Sequence, residues 1–238
     1  MIYKFLERMV TKPESRQINL STDIEPSETH IFNASLIKTY IQRKKVLDIG
    51  CWTGQLEKLI LQETKELIGL EPDNDAVRVA KKTIPGVSFF VGTAEKLPFK
   101  DNSFDTIIFL DVIEHIPAQT ELTCLKEINR VLKPKGILIL STNYKHPVGV
   151  LFDPSFWAFG HRHYGKSELK NMLTQTGFHT KRIITSGRFW RIVTFNTSMV
   201  AKHIFKIKLD YPKWIKKKVL EDFKPGGVVS IHIIAQKR

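Results

Sequence analysis

The sequence has few cysteines and no long uncharged run. Cys51 and Cys124 are its only cysteines, too few for a disulfide framework or a zinc site built from thiolates, so we expect a reduced, cytoplasmic protein. No stretch free of Asp, Glu, Lys and Arg is longer than the 12 residues of Pro225–Gln236, which are too few to span a bilayer as a helix. Met1–Arg8 contains an acid and two bases ahead of any apolar run, so we expect no secretory signal.

Acidic residues are scarce between Lys181 and Lys224, where 12 Lys and Arg face only 3 Asp and Glu. The whole chain has a net charge of +13, so this region carries most of the excess. A basic block on an otherwise balanced chain indicates one surface that meets an anionic partner, rather than a uniformly nucleic-acid-binding domain. A phosphate backbone, lipid headgroups and an anionic substrate all fit this charge.

Apolar runs alternate with amphipathic stretches along most of the chain. Residues 1–30 are polar and weakly patterned and are expected to be extended, whereas His30–Gln42 has the apolar spacing of a helix. Short apolar runs predict strands at Lys45–Ile49, Glu66–Leu70, Val87–Val91, Thr106–Leu110, Ile137–Ser141, His179–Thr185 and Val228–Gln236. The stretches between most of them predict helices at Gln55–Gln62, Asp73–Lys82, Glu121–Leu132 and Ser167–Thr176. This alternation indicates an α/β fold with a doubly wound, mostly parallel sheet.

The most informative segment is Val46–Glu57, an apolar strand that ends in a glycine turn and leads directly into a helix. Gly50 and Gly54 allow a tight turn and the close approach of a ligand. Their spacing lacks the Gly-x-Gly-x-x-Gly pattern that binds a dinucleotide pyrophosphate, and Asp48 beside them repels phosphate. Glu71 ends the next strand, where an acid binds ribose hydroxyls in doubly wound folds. Together these residues favour a nucleoside with a positive charge and no phosphate.

Five ordered segments of the chain resemble the class I S-adenosylmethionine-dependent methyltransferases. Val46–Gly54 is similar to the first motif of that family, and Glu71–Asp73 to the acid that follows it. Gly92–Glu95, Phe104–Ile116 and Glu127–Gly136 are similar to the adenine-side loop, the fourth strand and the approach to the fifth strand. The resemblance implies a Rossmann-like, seven-stranded, mostly parallel sheet with an antiparallel last strand and a helical insertion.

The resemblance also implies where the cofactor, S-adenosylmethionine, binds. Glu71 is expected to hold both ribose hydroxyls and Asp111 to lie near the sulfonium end, while Glu95 flanks the adenine. The implied cofactor-binding residues are Asp48, Gly50, Cys51, Gly54, Glu71, Pro72, Ala94, Glu95, Leu110 and Asp111. Helix capping and solvation are the alternatives for these acids. Trp52 departs from the family by replacing the middle glycine of the loop, and its bulk is expected to narrow or to cap the methionine end of the pocket.

Segments beyond these motifs predict an acceptor site. His115 follows the strand end at Asp111 and titrates near neutral pH, so it is our candidate general base; a histidine packed at a helix start is the alternative. His161–Tyr164 is similar to a segment that closes over the acceptor in many relatives. Phe152–Phe159 places four aromatic residues in an expected loop, which predicts an apolar pocket wall or packing beneath the insertion. The expected acceptor contacts are Trp157, His161, His163 and Tyr164, and no metal ion is expected because ligand spacing is lacking.

We therefore expect residues 31–238 to form one methyltransferase domain, in which residues 188–224 are a basic helical insertion or lid. The mixture of apolar residues and lysines in this insertion suits a helix on an anionic membrane surface; a lid with a solvated lysine face is the alternative. The expected function is methyl transfer to an oxygen, rather than a nitrogen or carbon, of an apolar or lipid-like small molecule, in the cytoplasm or at the periphery of a membrane. The alternatives are an RNA or protein methyltransferase that uses the insertion, and a module that binds the cofactor without catalysis. Nucleic acid is disfavoured because no stacking platform is evident, and NAD-dependent oxidation because of the glycine spacing.

Overall fold

A computed structural model describes residues 25–238, so most of the segment expected to be extended lies outside the described residues. The described chain contains the strands β1 (Lys45–Ile49), β2 (Glu66–Glu71), β3 (Ser88–Val91), β4 (Phe104–Leu110), β5 (Leu132–Asn143), β6 (Phe178–Ser186) and β7 (Ser230–Lys237). They form one seven-stranded sheet in the order β3-β2-β1-β4-β5-β7-β6. Only β7 runs against its neighbours, pairing antiparallel with β5 and β6. The α/β fold that the sequence predicts is therefore confirmed.

Helices connect most of the strands. They are α1 (Glu28–Ile41), α2 (Gln55–Ile60), α3 (Asn74–Thr83), α4 (Glu121–Val131), α5 (Pro147–Leu151), α6 (Pro154–Phe159), α7 (Lys166–Gln175), α8 (Phe189–Val200) and α9 (Lys213–Asp222). α8 and α9, joined through a π-helical turn at Ala201–Phe205, form the insertion between the last two strands. Within residues 25–238, no helix combines the length and the apolar composition needed to cross a membrane.

Successive residues of the central strands face opposite sides of the sheet, as alternating side chains must. On β1, Leu47 packs in a core with α4 and α7, whereas Val46 packs in a second core with α1 and α2. On β4, Ile107 and Phe109 belong to the first of these cores and Ile108 to the second. Both faces are thus covered, which explains why these strands are nearly continuous apolar runs.

Two expectations about element boundaries are wrong. The stretch expected as a loop at Phe152–Phe159 forms helix α6, preceded by the short α5. Each of these helices has a proline in its first turn and a side chain that caps it: His146 accepts from the Val148 N–H and Asp153 from the Ser155 N–H. Strand β5 begins at Leu132 rather than at residue 137, because Leu132 pairs with Phe104 beyond a break in register. Lys, Pro and Gly at residues 133–136 interrupt the apolar run, so the sequence did not indicate this earlier start.

The strand order places the candidate site. From β1 the chain proceeds outward through β2 to β3, whereas from β4 it proceeds through β5 in the opposite direction. In doubly wound sheets, ligands bind outside the carboxyl ends of the strands where this order reverses. The edge beyond β1 and β4 is therefore where a ligand is expected.

Candidate functional site

The glycine loop follows β1 at this edge. Gly50 and Gly54 have φ angles of 84° and 86°, a left-handed conformation that favours glycine. A Cβ atom on Gly50 would lie 2.3 Å from Val112 Cγ2, and one on Gly54 would lie 2.4 Å from Ile84 Cδ1. The two glycines are therefore required by the backbone turn and by close packing behind the loop, and not only by the approach of a ligand.

Glu71, at the end of β2, reaches across to the glycine loop. Its Oε2 accepts a hydrogen bond from the Trp52 N–H at 3.2 Å, and its Oε1 accepts one from the Asp73 N–H at 3.1 Å. The residue is 7% exposed, and burial raises the pKa of its carboxyl. A carboxylate oxygen can accept two hydrogen bonds, so each oxygen of Glu71 remains able to accept one from a ligand hydroxyl.

Asp48 and Glu71 lie together toward the carboxyl ends of β1 and β2, the place that we call the crevice. β1 and β2 run parallel with Asp48 opposite Gly69, so both carboxyls are at the same edge of the sheet. The two carboxyls are close enough to interact, because the negative charge of Glu71 makes a small contribution to the raised pKa of Asp48. Trp52, with φ at 48°, is half buried in the loop beside them. The structure thus brings together the two acids on which the sequence argument depends.

A third acid, Glu57 in the first turn of α2, was missed by the sequence analysis. Its carboxyl is fully buried against that of Asp48, with which it forms a hydrogen bond when one of the two is protonated, and no Lys or Arg pairs with it in the ion pairs of the described residues. Burial raises the pKa of Glu57 to about 7, and burial followed by the adjacent Glu57 raises that of Asp48 well above its ordinary value. Buried carboxyls this close share a proton. An acid in the first turn of a helix is usually a favourable dipole contact, so its sequence position did not mark it.

The other predicted cofactor residues lie near this edge with different exposures. Cys51 is buried behind the loop, facing β2 at Gly69, and burial raises the pKa of its thiol. Ala94 is buried and Glu95 half buried in the turn after β3. Leu110 ends β4 and is half buried, whereas Pro72 is exposed beside Glu71. The side chain of Cys51 therefore packs against β2 and does not face solvent beside Glu71.

Asp111 lies directly after β4 in a strained conformation. Its φ of 55° is unusual for a residue other than glycine, and such strain is often found at functional sites. Three hydrogen bonds to Ser141 hold it: its N–H donates to the Ser141 carbonyl at 3.0 Å and to the Ser141 Oγ at 3.1 Å, and its Oδ1 accepts from the Ser141 hydroxyl at 2.6 Å. Below it, the buried Glu114 accepts from the Thr142 hydroxyl at 2.9 Å. Burial and the charge of Asp111 raise the pKa of Glu114 to about 8, so this second acid is protonated at neutral pH.

His115 and His161 meet edge to face beside Asp111. Their ring centroids are 4.6 Å apart. Desolvation, and then the charge of His161, lower the pKa of His115, although part of the residue reaches solvent. Desolvation also lowers the pKa of His161. Both imidazoles are therefore neutral at pH 7, and the opposing charge of Asp111 favours the protonated form of His115 once a proton arrives.

Arg162 holds the His115 turn in place and was not among the predicted residues. Its guanidinium donates to the Ile113 carbonyl at 2.8 Å and to the Ile116 carbonyl, and it forms an ion pair with Glu121. These bonds join the turn after β4 to the segment before α7. In the sequence it stands between the predicted residues His161 and His163, but no local pattern indicates that an arginine will bind backbone carbonyls of another segment.

Two predicted acceptor residues point into the protein instead. His163 Nε2 is 2.7 Å from Asp153 Oδ2, and its side chain is only 4% exposed. Tyr164 is 3% exposed, and its hydroxyl donates to the Ile113 carbonyl at 3.2 Å. We correct their expected role from substrate contact to support of the segment. Another predicted acceptor residue, Trp157, is 63% exposed on α6. Among residues 25–238, no three His, Cys, Asp or Glu side chains are grouped so as to hold a metal ion.

The chemistry of the crevice fits the nucleoside cofactor that the sequence implies. Glu71 presents carboxylate oxygens for vicinal hydroxyls, which matches a ribose. Asp48 and Glu57 together keep one negative charge when they share a proton, and this charge matches a cationic group. No basic side chain contacts these three acids in the hydrogen bonds and ion pairs of the described residues, so a phosphate has no partner there.

Comparisons with known proteins point in the same direction. A family model described as a methyltransferase domain matches residues 47–140. The chain is 31% identical to the demethylmenaquinone methyltransferase of Staphylococcus aureus, an alignment that covers 58% of this chain and 69% of that protein. It is 32% identical to an uncharacterized methyltransferase of Synechocystis, covering 49% of this chain and 51% of the relative. The chain spans about half the length of several such relatives.

Solved structures share the fold at lower sequence identity. A methyltransferase from Thermotoga maritima, described as dependent on S-adenosylmethionine, is 21% identical with a TM-score of 0.63, and the match covers 99% of this chain and 100% of that one. The YcgJ protein of Bacillus subtilis is 22% identical with a TM-score of 0.60, covering 88% of this chain and 99% of that one. At these identities the likeness concerns the fold alone.

Proposed function

Since this chain belongs to the class I S-adenosylmethionine-dependent methyltransferase family, we propose that it methylates a hydroxyl oxygen of an apolar, lipid-like small molecule. The observation that carries the proposal is a neutral imidazole pair, His115 and His161, at the edge of the cofactor crevice. An apolar-walled cavity opens after β5 at the same edge of the sheet. A proton acceptor and an apolar wall are what such an acceptor needs.

The buried acids orient the cofactor. S-adenosylmethionine, when bound, supplies a methyl group on a positively charged sulfur that an oxygen nucleophile attacks in line. Glu71 accepts from the ribose hydroxyls, and Asp48 with Glu57 stabilises the cationic end. Orientation of this kind is worth about 7–11 kcal/mol in intramolecular reactions, so it supplies a large share of the rate enhancement.

His115 accepts the proton that the acceptor hydroxyl must lose as its oxygen becomes a nucleophile. Its lowered pKa keeps the ring neutral and ready to accept at pH 7. Asp111 stabilises the imidazolium that results, and Arg162 holds the turn through the Ile113 carbonyl. A positioned general base contributes on the order of 10²–10⁴-fold to such a reaction.

An apolar acceptor is supported by the surroundings of this edge. The cavity after β5 has a volume of about 330 Å³ and is lined mainly by the apolar residues Pro147, Val150, Leu151 and Trp157. The Staphylococcus aureus relative is named for demethylmenaquinone, a quinone that carries an isoprenoid chain. Both observations favour a substrate with an apolar body that lies against α5 and α6.

The test compares acceptors whose hydroxyls differ in acidity. We expect His115→Ala to lower kcat about a hundredfold or more for a weakly acidic hydroxyl, and far less for a phenol that is already ionised, because only the first needs a base. His179→Ala changes an exposed histidine on β6 and serves as the matched control. Equal losses in His115→Ala for both acceptors, or none for either, contradict the proposed base. Transfer to amines alone contradicts the oxygen acceptor.

A further inference from the structure

Exposed apolar side chains are concentrated in two segments of the protein. Of the seventeen large apolar residues exposed in the described chain, twelve lie within residues 148–157 and 189–220. Phe189 and Phe205 are 65% and 64% exposed, more than any of the five that lie elsewhere. Single exposed apolar residues are ordinary, but a contiguous group marks a surface that meets another phase or molecule.

The most exposed stretch is the tip of the insertion, residues 204–210. All seven of its residues are exposed, and four of them are large and apolar. Lysines at positions 206 and 208 alternate with Phe205, Ile207 and Leu209. Among the residues that the structure describes, nothing covers the exposed parts of these four apolar side chains.

The two segments adjoin each other. The Asn196 amide on α8 donates to the Phe152 carbonyl at 2.9 Å, which joins the insertion to the stretch between α5 and α6. Trp190 on α8 meets Trp214 on α9 edge to face, with ring centroids 5.6 Å apart. α8 therefore links residues 148–157 to residues 204–217, and we call these two stretches together the docking surface.

The base of the insertion is firmly packed, in contrast to the tip. The Arg191 N–H donates to the Asp222 carboxylate at 3.0 Å, which joins the start of α8 to the end of α9. Phe223 stacks on Phe32 of α1 with ring centroids 4.3 Å apart. The exposed tip therefore connects to a base that is packed against the rest of the domain.

The charge of the docking surface identifies its partner. The docking surface holds five lysines against the two acids Asp153 and Asp210, a net charge of +3, and it lies beside a region from Lys181 to Lys224 whose net charge is +9. A second copy of this chain would bring two such positive surfaces together, and a nucleic acid would leave the apolar tip in water. We propose that the docking surface binds an anionic lipid bilayer, with the aromatic and aliphatic side chains at the headgroup boundary and the lysines on the anionic lipids.

The test measures binding to vesicles in the absence of cofactor and acceptor, so its outcome does not depend on methyl transfer. We expect sedimentation with vesicles that contain phosphatidylglycerol, weakening as salt is raised, and little with phosphatidylcholine alone. Phe205→Ser is expected to weaken binding about tenfold or more, as loss of a buried aromatic should. Lys206→Glu is expected to weaken it at least about fivefold, which corresponds to about 1 kcal/mol per lysine.

Matched controls lie near β3, at the end of the sheet away from β6 and the insertion. Phe90→Ser and Lys82→Glu change residues of the same types that are exposed near β3 and α3 and should leave binding unchanged. Thermal unfolding of each variant checks that it remains folded. Binding that is equal for both kinds of vesicle, or equally weakened by the controls, overturns the proposal. A stable dimer that Phe205→Ser dissociates would also overturn it. The same holds if the protein binds an RNA oligonucleotide more tightly than vesicles, and Lys206→Glu abolishes that binding while Phe205→Ser leaves it unchanged.

Discussion

The cofactor edge and the insertion tip use charge and apolar surface in opposite ways. At the edge, the carboxyls of Asp48, Glu57 and Glu71 are buried and the apolar residues behind them are packed. At the tip, residues such as Phe205 and Lys206 are both exposed. Buried charges interact strongly because little water screens them, whereas exposed charges act weakly and collectively. Changes of one residue should therefore have large effects at the edge and small effects on the isolated chain at the tip.

Among changes at the cofactor edge, the largest effect on stability should come from the glycine loop. Gly50→Ala forces a left-handed φ on alanine and drives its Cβ to 2.3 Å from Val112 Cγ2, so we expect a loss of about 3 kcal/mol in the free energy of unfolding. Gly160 also has a positive φ, 67°, but a Cβ there meets nothing within 4 Å. Gly160→Ala should therefore cost only about 1 kcal/mol. Chemical denaturation of both variants measures the difference, and equal losses contradict the packing of Gly50 against Val112.

Removing the Glu57 charge should stabilise the protein at alkaline pH. Its pKa is raised by burial to about 7, so the folded state holds a proton that the unfolded state has released, and stability falls as pH rises from about 4.5 to about 7. Glu57→Gln removes this penalty and should raise the free energy of unfolding by about 2 kcal/mol at pH 8, with little change at pH 4. The comparison is made by thermal unfolding at both pH values.

The matched control for Glu57→Gln is Glu63→Gln. Glu63 lies in the turn after α2 and pairs with Lys38 at 2.8 Å, and that bond lowers the pKa of its carboxyl. Because the sign of the pKa shift is opposite, this variant should show no gain at pH 8. A gain in both variants, or a Glu57→Gln protein that is less stable at pH 8, contradicts the shared proton between Asp48 and Glu57.

The smallest effect is expected at the tip of the insertion. Ile207→Ser replaces a side chain that is 53% exposed, so the free energy of unfolding in water should change by less than about 0.5 kcal/mol. Ile107→Ser, a fully buried residue of β4, provides the contrast and should cost several times more. Denaturant titration of the two variants measures this ratio. A large loss in Ile207→Ser means that the tip packs against the domain.

The alternation of apolar runs was sufficient to predict the sheet, because strands covered on both faces are apolar throughout. The element Lys45–Ile49 was predicted to the residue, since an apolar run there ends at a glycine turn. The helices α5 and α6 were missed because aromatic residues such as Phe156 and Trp157 do not show a helical spacing over so few residues. Both helices nevertheless form, because each begins with a proline, at residues 147 and 154, directly after a capping side chain at residues 146 and 153.

Two acids of the candidate site were predicted from the sequence, whereas its third acid and the residues that support it were not. Asp48 and Glu71 stand at strand ends beside glycines, a position that sequence reveals. Glu57 and Arg162 function through buried or backbone contacts between elements distant in the chain, which no local pattern contains. For the same reason, the inward orientation of Tyr164 became evident only from its hydrogen bond to the Ile113 carbonyl.

The central claim, that the acids at the ends of β1 and β2 hold the nucleoside cofactor, is tested most directly by calorimetric titration with S-adenosylhomocysteine. We predict tight binding to the unmodified protein and a loss of about a hundredfold in Glu71→Ala, because hydrogen bonds from two hydroxyls to a charged group are lost. Asp48→Ala should weaken binding as well. Glu66→Ala, at the exposed opposite end of β2, should bind normally. Equal affinity in all four proteins would contradict the account.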